Sequence, residues 1–225
     1  MTPSLEILHE DNHLLVVNKP AGLATMGTPD GRPTLLTLAK QYLKERYQKP
    51  GNVYLGVVSR LDAPVTGVVV LARTSKAARR LTEQFRLKKA EKNYWAIVEG
   101  SLMPVEGECV DWLGQDRRHR RMWIVGPTVA DAKEARLRYR TLRPVEGHSL
   151  LEIELETGRK HQIRLQLADR GHPILGDRKY GSRHAWPSGI ALHARRLKIL
   201  HPIGARPLEF VAPVPRAWRR FGLGE

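Results

Sequence analysis

The residues with the clearest potential for chemistry stand between positions 58 and 67. Asp62 follows Arg60 in a loop that contains proline and glycine, and an apolar segment, residues 68–72, comes directly after it. Rigid elements hold such loops in place while their tips meet a ligand. A carboxylate there could act as a nucleophile or as a general base. The alternative is a structural aspartate that forms a turn and pairs with Arg60, and this segment by itself favours neither interpretation.

Further segments with polar and basic residues occur in order along the chain. They are residues 17–23, a strand pattern that runs into a tight turn; residues 91–100, a strand pattern with an aromatic near its start; residues 155–164, a glycine turn before a basic helix; and residues 171–181, 192–194 and 210–215. Together with Arg60-Leu61-Asp62, these segments resemble the RluA-like family of RNA pseudouridine synthases. The resemblance extends from about residue 14 to about residue 218. It is specific because Arg-Leu-Asp and Thr-Gly-Arg-x-His-Gln-Ile-Arg occur in this order.

The resemblance implies roles for four residues. Asp62 matches the catalytic aspartate of the family, and Tyr94 matches the active-site tyrosine of its Lys-x-Tyr motif. Arg164 matches the basic residue that pairs with that aspartate. Arg60 matches the arginine that helps to hold the substrate strand and its displaced base. We therefore expect Asp62 to be catalytic and the other three residues to bind substrate.

The chain departs from the family pattern around Asp62. Ser59 stands where the family often has histidine, and residues 62–67 read Asp-Ala-Pro-Val-Thr-Gly where the family often reads Asp-Lys-x-Thr-Ser-Gly. Thr66 keeps a hydroxyl and Gly67 is retained. These differences concern the details of the loop and the fit of the substrate, and they leave the aspartate in place.

The chemistry that the resemblance implies requires no cofactor and no metal. Pseudouridine formation breaks the bond between uracil N1 and ribose C1′, turns the base, and joins C5 to C1′. Desolvation alone would raise the pKa of a buried Asp62, so a cation such as Arg164 is needed to keep it charged. The carboxylate could attack C1′ or remove a sugar proton, and both routes stay open. Tyr94 could stack on the uracil and use its hydroxyl as a hydrogen-bond partner or proton carrier.

Basic residues before the third predicted helix are candidates for binding RNA phosphates. Arg159, Lys160 and His161 stand at its amino terminus, where backbone N–H groups favour anions, with a simple capping role as the alternative. The run from Arg117 to Arg121 could also contact RNA, or it could be a solvated loop. Such contacts would offset the cost of about a few kcal/mol for moving a uridine out of its stack.

The charge of the chain also points to nucleic acid. Its 225 residues include 38 lysines and arginines against 23 aspartates and glutamates, a net charge of +15. The pI near 10.4 predicts a polyanionic partner, nucleic acid before an acidic membrane surface. A general excess of arginine is the alternative. However, residues 1–75 hold 8 basic and 6 acidic residues, residues 76–150 hold 16 and 10, and residues 151–225 hold 14 and 7. This uneven distribution argues against a uniform rise in arginine content along the chain. We expect the excess of basic residues in positions 76–225 to flank Asp62.

Strand patterns outnumber helical ones. They cover residues 14–18, 67–72, 94–98, 122–125, 135–142 and 150–156, whereas helical spacing covers residues 34–47, about 75–88 with Ser75 as N-cap, and about 160–170. Without a βαβ rhythm, this predicts an α+β fold with a mixed, mainly antiparallel central sheet, flanking helices and an active-site cleft. Residues 100–118 are predicted to form loops or short strands. We expect a single catalytic domain over residues 1–225, without a separate RNA-binding domain.

Several other classes of protein are excluded or disfavoured. The lone Cys109 excludes a disulfide framework, and no histidine spacing matches a metal site. No segment approaches the ~18 apolar residues of a membrane span, and no secretion signal is present, so we expect a cytoplasmic protein. We also expect a monomer, and the resemblance implies that it acts on rRNA or tRNA. A non-catalytic RNA-binding module on the same fold is disfavoured by the set of Asp62, Tyr94 and Arg164. A hydrolytic glycosidase would need a second carboxylate, which the motifs lack.

Overall fold

The computed structural model describes residues 5–28, 31–116 and 121–223. The chain forms two compact units, one made of Met1–Ala90 and Ala194–Val214 and the other of Glu91–His193 and Pro215–Glu225. The strands are β1 (Glu6–Glu10), β2 (Leu14–Lys19), β3 (Gly56–Val57), β4 (Thr66–Ala72), β5 (Glu91–Val98), β6 (Glu106–Asp116), β7 (Arg121–Val125), β8 (Lys133–Val145), β9 (His148–Leu155), β10 (Leu192–Leu200) and β11 (Pro207–Val211). The helices are α1 (Leu35–Arg46), α2 (Ser75–Arg86) and α3 (Gln162–Asp169), with short 3-10 helices at Arg178–Tyr180 and Arg216–Phe221.

The first unit is built on two strands that are buried on both faces. β2 pairs with β4 antiparallel, so that Lys19 lies opposite Gly67, and β1 pairs with the other edge of β2. Because alternate residues of a strand point to opposite faces, Leu14 joins the apolar cluster that includes α2, and Leu15 joins the cluster that includes α1. The two clusters hold β2 and β4 between helices, which fixes the ends of both strands.

Threonine residues cap both helices of the first unit. Thr34 and Thr37 form a capping box, in which each side-chain oxygen accepts the backbone N–H of the other residue. The Thr74 hydroxyl accepts the backbone N–H of Ala77 at 3.1 Å. The predicted cap at Ser75 is therefore wrong by one residue. Both side chains suit a cap, and the extended backbone of Thr74 decides between them.

The second unit contains an antiparallel sheet in the order β5-β9-β8-β6-β7. The prediction of loops or short strands over residues 100–118 is wrong for Glu106–Asp116, because this stretch forms the eleven-residue β6; residues 117 and 118 lie outside the described residues. Two glycines of β6 weaken its local strand pattern, but each is needed because a neighbouring side chain packs closely against it. A Cβ on Gly107 would lie 2.9 Å from the Tyr139 hydroxyl, and one on Gly114 would lie 3.0 Å from Nε1 of Trp123. The cross-strand pairing of β6 thus overrides its weak propensity.

Helix α3 packs against the sheet of the second unit. Leu165 joins Leu113 and Ala135 in an apolar cluster. The helix begins at Gln162 rather than near residue 160, because His161 has a left-handed backbone with φ of 57°. This shift moves all three predicted phosphate-binding residues to the segment immediately before the helix.

The predicted α+β class with mainly antiparallel pairing is confirmed. The assignment of residues 1–225 to one catalytic domain stays a prediction. Within the described ranges, no helix has both the length and the apolar character needed to span a membrane.

Candidate active site

The loop between β3 and β4 carries Asp62 in the first unit, and its backbone is held on both sides. Before Asp62, the Thr25 hydroxyl donates to the carbonyl of Leu61 at 2.8 Å and accepts its N–H at 3.1 Å. After Asp62, the carbonyl of Ala63 accepts the N–H of Gly22 at 2.8 Å. The segment that follows β2 therefore clamps the aspartate loop. Thr25 was not predicted as a functional residue, because a lone threonine carries no recognisable pattern.

Lys19, at the end of β2, is a buried cation close to Asp62. Its side chain is fully buried, and Nζ donates to the carbonyls of Pro20 and Leu23 at 2.8 Å each and of Ala63 at 3.2 Å. Burial lowers the pKa of Lys19 to about 7, while the Asp62 carboxylate opposes this change by favouring the charged ammonium. Lys19 lies in the Asn-Lys-Pro-Ala-Gly segment that carried the family resemblance, although the sequence assigned it no role.

The surroundings of Arg60 test the alternative that Asp62 is a structural residue that forms a turn and pairs with Arg60. The Asp62 carbonyl accepts the N–H of Val65 at 3.1 Å, so the aspartate does form a turn. Arg60 is exposed and makes no hydrogen bond or ion pair with any described residue. The pairing of Arg60 with Asp62, on which the structural alternative depended, is therefore not formed. Arg60 is left at the surface beside Asp62, where a substrate could reach it.

Gly67 stands where the loop that carries Asp62 joins β4, close to the backbone of Ala194. Its φ is 115°, and a Cβ at this position would lie 2.2 Å from the carbonyl oxygen of Ala194. A residue with a side chain would be strained in this conformation and would also collide with the neighbouring backbone. The glycine retained from the family pattern is thus required by close backbone approach.

Tyr94 lies in the second unit on β5. It pairs with Ile153 of β9, which in turn pairs with Tyr139 of β8. Directly opposed residues share one face of a sheet, so the three buried side chains form a row. The tyrosine is therefore held by a rigid sheet rather than by a loop.

Arg164, on α3, is held by a carboxylate of its own unit. Its Nε donates to Oδ2 of Asp177 at 2.6 Å and its Nη2 to Oδ1 at 2.9 Å. The guanidinium carbon lies 5.1 Å from the centre of the Tyr180 ring. Sequence reasoning did not assign Asp177 or Tyr180, although both stand in the segment 171–181 that contributed to the resemblance. The pairing of Arg164 with Asp62 stays a prediction.

The three predicted phosphate-binding residues differ in their surroundings. His161 Nδ1 lies 2.7 Å from the Tyr180 hydroxyl, and Arg159 Nε donates to the carbonyl of Glu134 at 2.9 Å. Lys160 is exposed and has no hydrogen bond or ion pair to a described residue. The side chain of Gln162 accepts the N–H of Arg159 at 3.0 Å and therefore stabilises the turn. Of the three, Lys160 is presented most openly to a phosphate.

Three arginines of β8 form ion pairs with neighbouring glutamates. On β8, Arg136 bonds to Glu134, Arg138 to Glu156 at 3.3 Å, and Arg140 to Glu152 at 3.0 Å. Residues 117–120 of the predicted basic run lie outside the described residues. In the part of the chain that is described, no three or more His, Cys, Asp or Glu side chains are arranged to hold a metal ion. The number of arginines on β8 is therefore larger than the net positive charge that β8 presents to RNA.

Comparison with known proteins agrees with the motif order. A sequence profile described as RNA pseudouridylate synthase matches residues 13–169, well over half of the chain. The chain belongs to this family. An uncharacterized RNA pseudouridine synthase of Synechocystis sp. is 36% identical over 217 residues, which cover 94% of this chain and 66% of that protein. Ribosomal large subunit pseudouridine synthase D of Xylella fastidiosa is 39% identical over 228 residues, which cover 94% of this chain and 66% of that protein.

The structure agrees with this family assignment. The human protein RNA Pseudouridylate Synthase Domain Containing 4 superposes with a TM-score of 0.79 at 27% identity, over 98% of this chain and 94% of that one. The predicted pseudouridine synthase fold is confirmed. The chain spans about two thirds of the length of the curated relatives that it matches.

Proposed function

We propose that this pseudouridine synthase family member isomerises a uridine in structured RNA to pseudouridine, with Asp62 as the catalytic carboxylate. The observation that carries the proposal is the clamped Arg-Leu-Asp loop, which holds Asp62 beside the buried cation Lys19. The clamp therefore holds the Asp62 carboxylate in one place, as either catalytic route requires.

The reaction is an isomerisation and balances without a co-reactant. The N1–C1′ bond breaks, the uracil turns, C5 bonds to C1′, the C5 proton is released, and N1 takes up a proton. In one route, the Asp62 carboxylate attacks C1′ as uracil leaves and is displaced when C5 bonds to C1′. In the other, it removes a sugar proton as uracil leaves, and it returns that proton to the same carbon when C5 bonds to C1′. The proposed reaction involves no metal or cofactor.

The remaining site residues receive roles in binding the substrate. Tyr94 stacks on the turned base, Arg60 holds the substrate strand, and Arg164 pairs with Asp62. Extraction of a base from its stack costs about a few kcal/mol, which phosphate contacts by Lys160 and its neighbours would offset. The rigid sheet around Tyr94 and the exposure of Arg60 support these assignments.

A uridine in ribosomal RNA is the proposed target rather than one in transfer RNA. The observation that favours it is the name of several relatives, ribosomal large subunit pseudouridine synthase D. A monomer working in the cytoplasm, where such RNA is made in bacteria, is the proposed setting.

The test is tritium release from RNA labelled at uridine C5. The substrate is total RNA from a host strain that lacks the gene, because it contains the unmodified target. We expect release by the wild type and a fall of at least about a thousandfold for Asp62→Asn, as for loss of a reacting group in other enzymes. Asp131→Asn makes the same chemical change at an exposed turn and should release tritium at the wild-type rate.

Each other outcome identifies a different function. Free uracil as the product would indicate a glycosidase. Tight RNA binding without release would indicate a binding module. Equal release by Asp62→Asn and the wild type would refute the role of Asp62.

A further inference from the structure

Asp177 is a buried carboxylate to which the proposed reaction assigns no role. It is only 2% exposed, and both of its oxygens bind the guanidinium of Arg164, which is 5% exposed. A buried charge is costly unless it is paired and hydrogen-bonded. The two side chains therefore form a buried ion pair inside the second unit of the chain.

A tight turn places the carboxylate of Asp177. The turn is closed by the N–H of Asp177, which donates to the carbonyl of Ile174 at 2.9 Å, and by the N–H of Tyr180, which donates to the carbonyl of Asp177 at 3.0 Å. Gly176 precedes it with a φ of 84°, and a Cβ there would lie 2.4 Å from the Cβ of Trp186. Because the backbone is fixed in this way, the Cα of Asp177, from which the carboxylate extends, has a defined position.

The contacts of Arg164 determine how its guanidinium is oriented. Asp177 engages Nε and Nη2, which form one edge of the planar group, and the Tyr180 ring lies against the group at 5.1 Å. A fork held along one edge and against one face has no rotational freedom, so the direction of Nη1 is also fixed. The Tyr180 hydroxyl is itself held, 2.7 Å from Nδ1 of His161 and 3.3 Å from the N–H of Met122.

We propose that Asp177, with Tyr180, is a positioning residue for the isomerisation, which acts by fixing the guanidinium of Arg164. The inference rests on the proposed function of Arg164 and extends it to the segment 171–181. Reacting groups that are displaced by about 1 Å can lose about a hundredfold in rate, so loss of the carboxylate should affect the chemical step more than RNA binding.

The chain provides a matched control at the end of the same helix. Arg170, which directly follows α3, is also bound by a carboxylate through two nitrogens, at 3.0 and 3.3 Å from Asp111. We expect Asp177→Asn to lower the single-turnover rate of tritium release about a hundredfold and to change the Kd for RNA by less than about threefold. Asp111→Asn should leave the rate within about threefold of the wild type.

A double-mutant cycle separates positioning from a structural role. If Asp177 acts through Arg164, Asp177→Asn should cause no further loss of rate in an Arg164→Met background. A hundredfold loss of rate on adding Asp177→Asn to Arg164→Met would refute the proposal. So would the absence of any loss in both the wild-type and the Arg164→Met proteins. If Asp177→Asn does not fold, Tyr180→Phe and Tyr180→Leu are compared instead. Tyr180→Phe keeps the ring that lies against Arg164, so it must release tritium faster than Tyr180→Leu. An inactive wild type would refute the proposed function instead.

Discussion

Each unit of the chain contains a buried cation, and the two are balanced in different ways. Lys19 in the first unit donates three hydrogen bonds to backbone carbonyls, and the charge of Asp62 favours its ammonium form. Arg164 in the second unit is bound at two nitrogens by the carboxylate of Asp177. The first cation is balanced by dipoles and the second by an opposite charge.

The difference follows from the chemistry of the two side chains. An ammonium is compact and has three donors, so converging carbonyls suit it, and its pKa falls readily when it is buried. A guanidinium is a planar fork that matches a carboxylate and stays charged. We therefore expect Lys19 to make the first unit sensitive to pH, whereas Arg164 makes the second unit sensitive to the loss of either partner.

The largest expected effect is that of Arg164→Met on stability. The change leaves Asp177 buried without a counter-charge, and breaking such a pair costs about 3–5 kcal/mol of the free energy of unfolding. Urea unfolding followed by tryptophan fluorescence measures this loss. The double variant Arg164→Met with Asp177→Leu should regain most of it, because an apolar pair of similar size is often tolerated. A double variant as unstable as the single one would contradict this account.

Lys19→Met should have a smaller effect on the free energy of unfolding. The substitution leaves the carbonyls of Pro20, Leu23 and Ala63 without their donor, and it leaves no uncompensated charge in the interior. We expect a loss of about 1–3 kcal/mol, the usual cost of buried groups without a hydrogen-bond partner. A loss that exceeds the one for Arg164→Met would reverse the comparison.

The smallest effect, taken over the single unit from about pH 7 to about pH 8, is a dependence of stability on pH that belongs to Lys19. Burial lowers its pKa from 10.5 to about 7, so between these values the unfolded chain binds more protons than the folded one. Stability should therefore rise with pH in this interval, by about 1 kcal/mol between about pH 7 and about pH 8. Burial raises the pKa of Cys109 from 9.0 to about 11, so the thiol lowers stability only as the pH rises above about 9, outside the interval from about pH 7 to about pH 8.

The control for the pH effect is the Lys19→Met variant. Its free energy of unfolding should lack the rise that the wild type shows over the same window. Equal slopes for the two proteins in urea titrations would show that Lys19 is charged in both states, and the contrast with Arg164 would then disappear.

Local patterns predicted much of the fold because several elements are encoded by short-range features. Buried apolar runs predicted β2 and β4, and helical spacing predicted α1 and α2 to within a few residues. β6 was missed because Gly107 and Gly114 suppress its pattern while cross-strand neighbours pack over them. The start of α3 was misplaced because the left-handed backbone of His161 has no signature in the residue types nearby.

The sequence by itself determined the family, the α+β class and the identity of the candidate catalytic residue, because ordered motifs and hydrophobic periodicity are properties of the chain alone. Only the tertiary structure decided which groups hold those residues. The Thr25 clamp on Leu61 and the pairing of Asp177 with Arg164 join positions 36 and 13 residues apart. Such contacts depend on where folding brings distant side chains, and no local pattern of residue types records that.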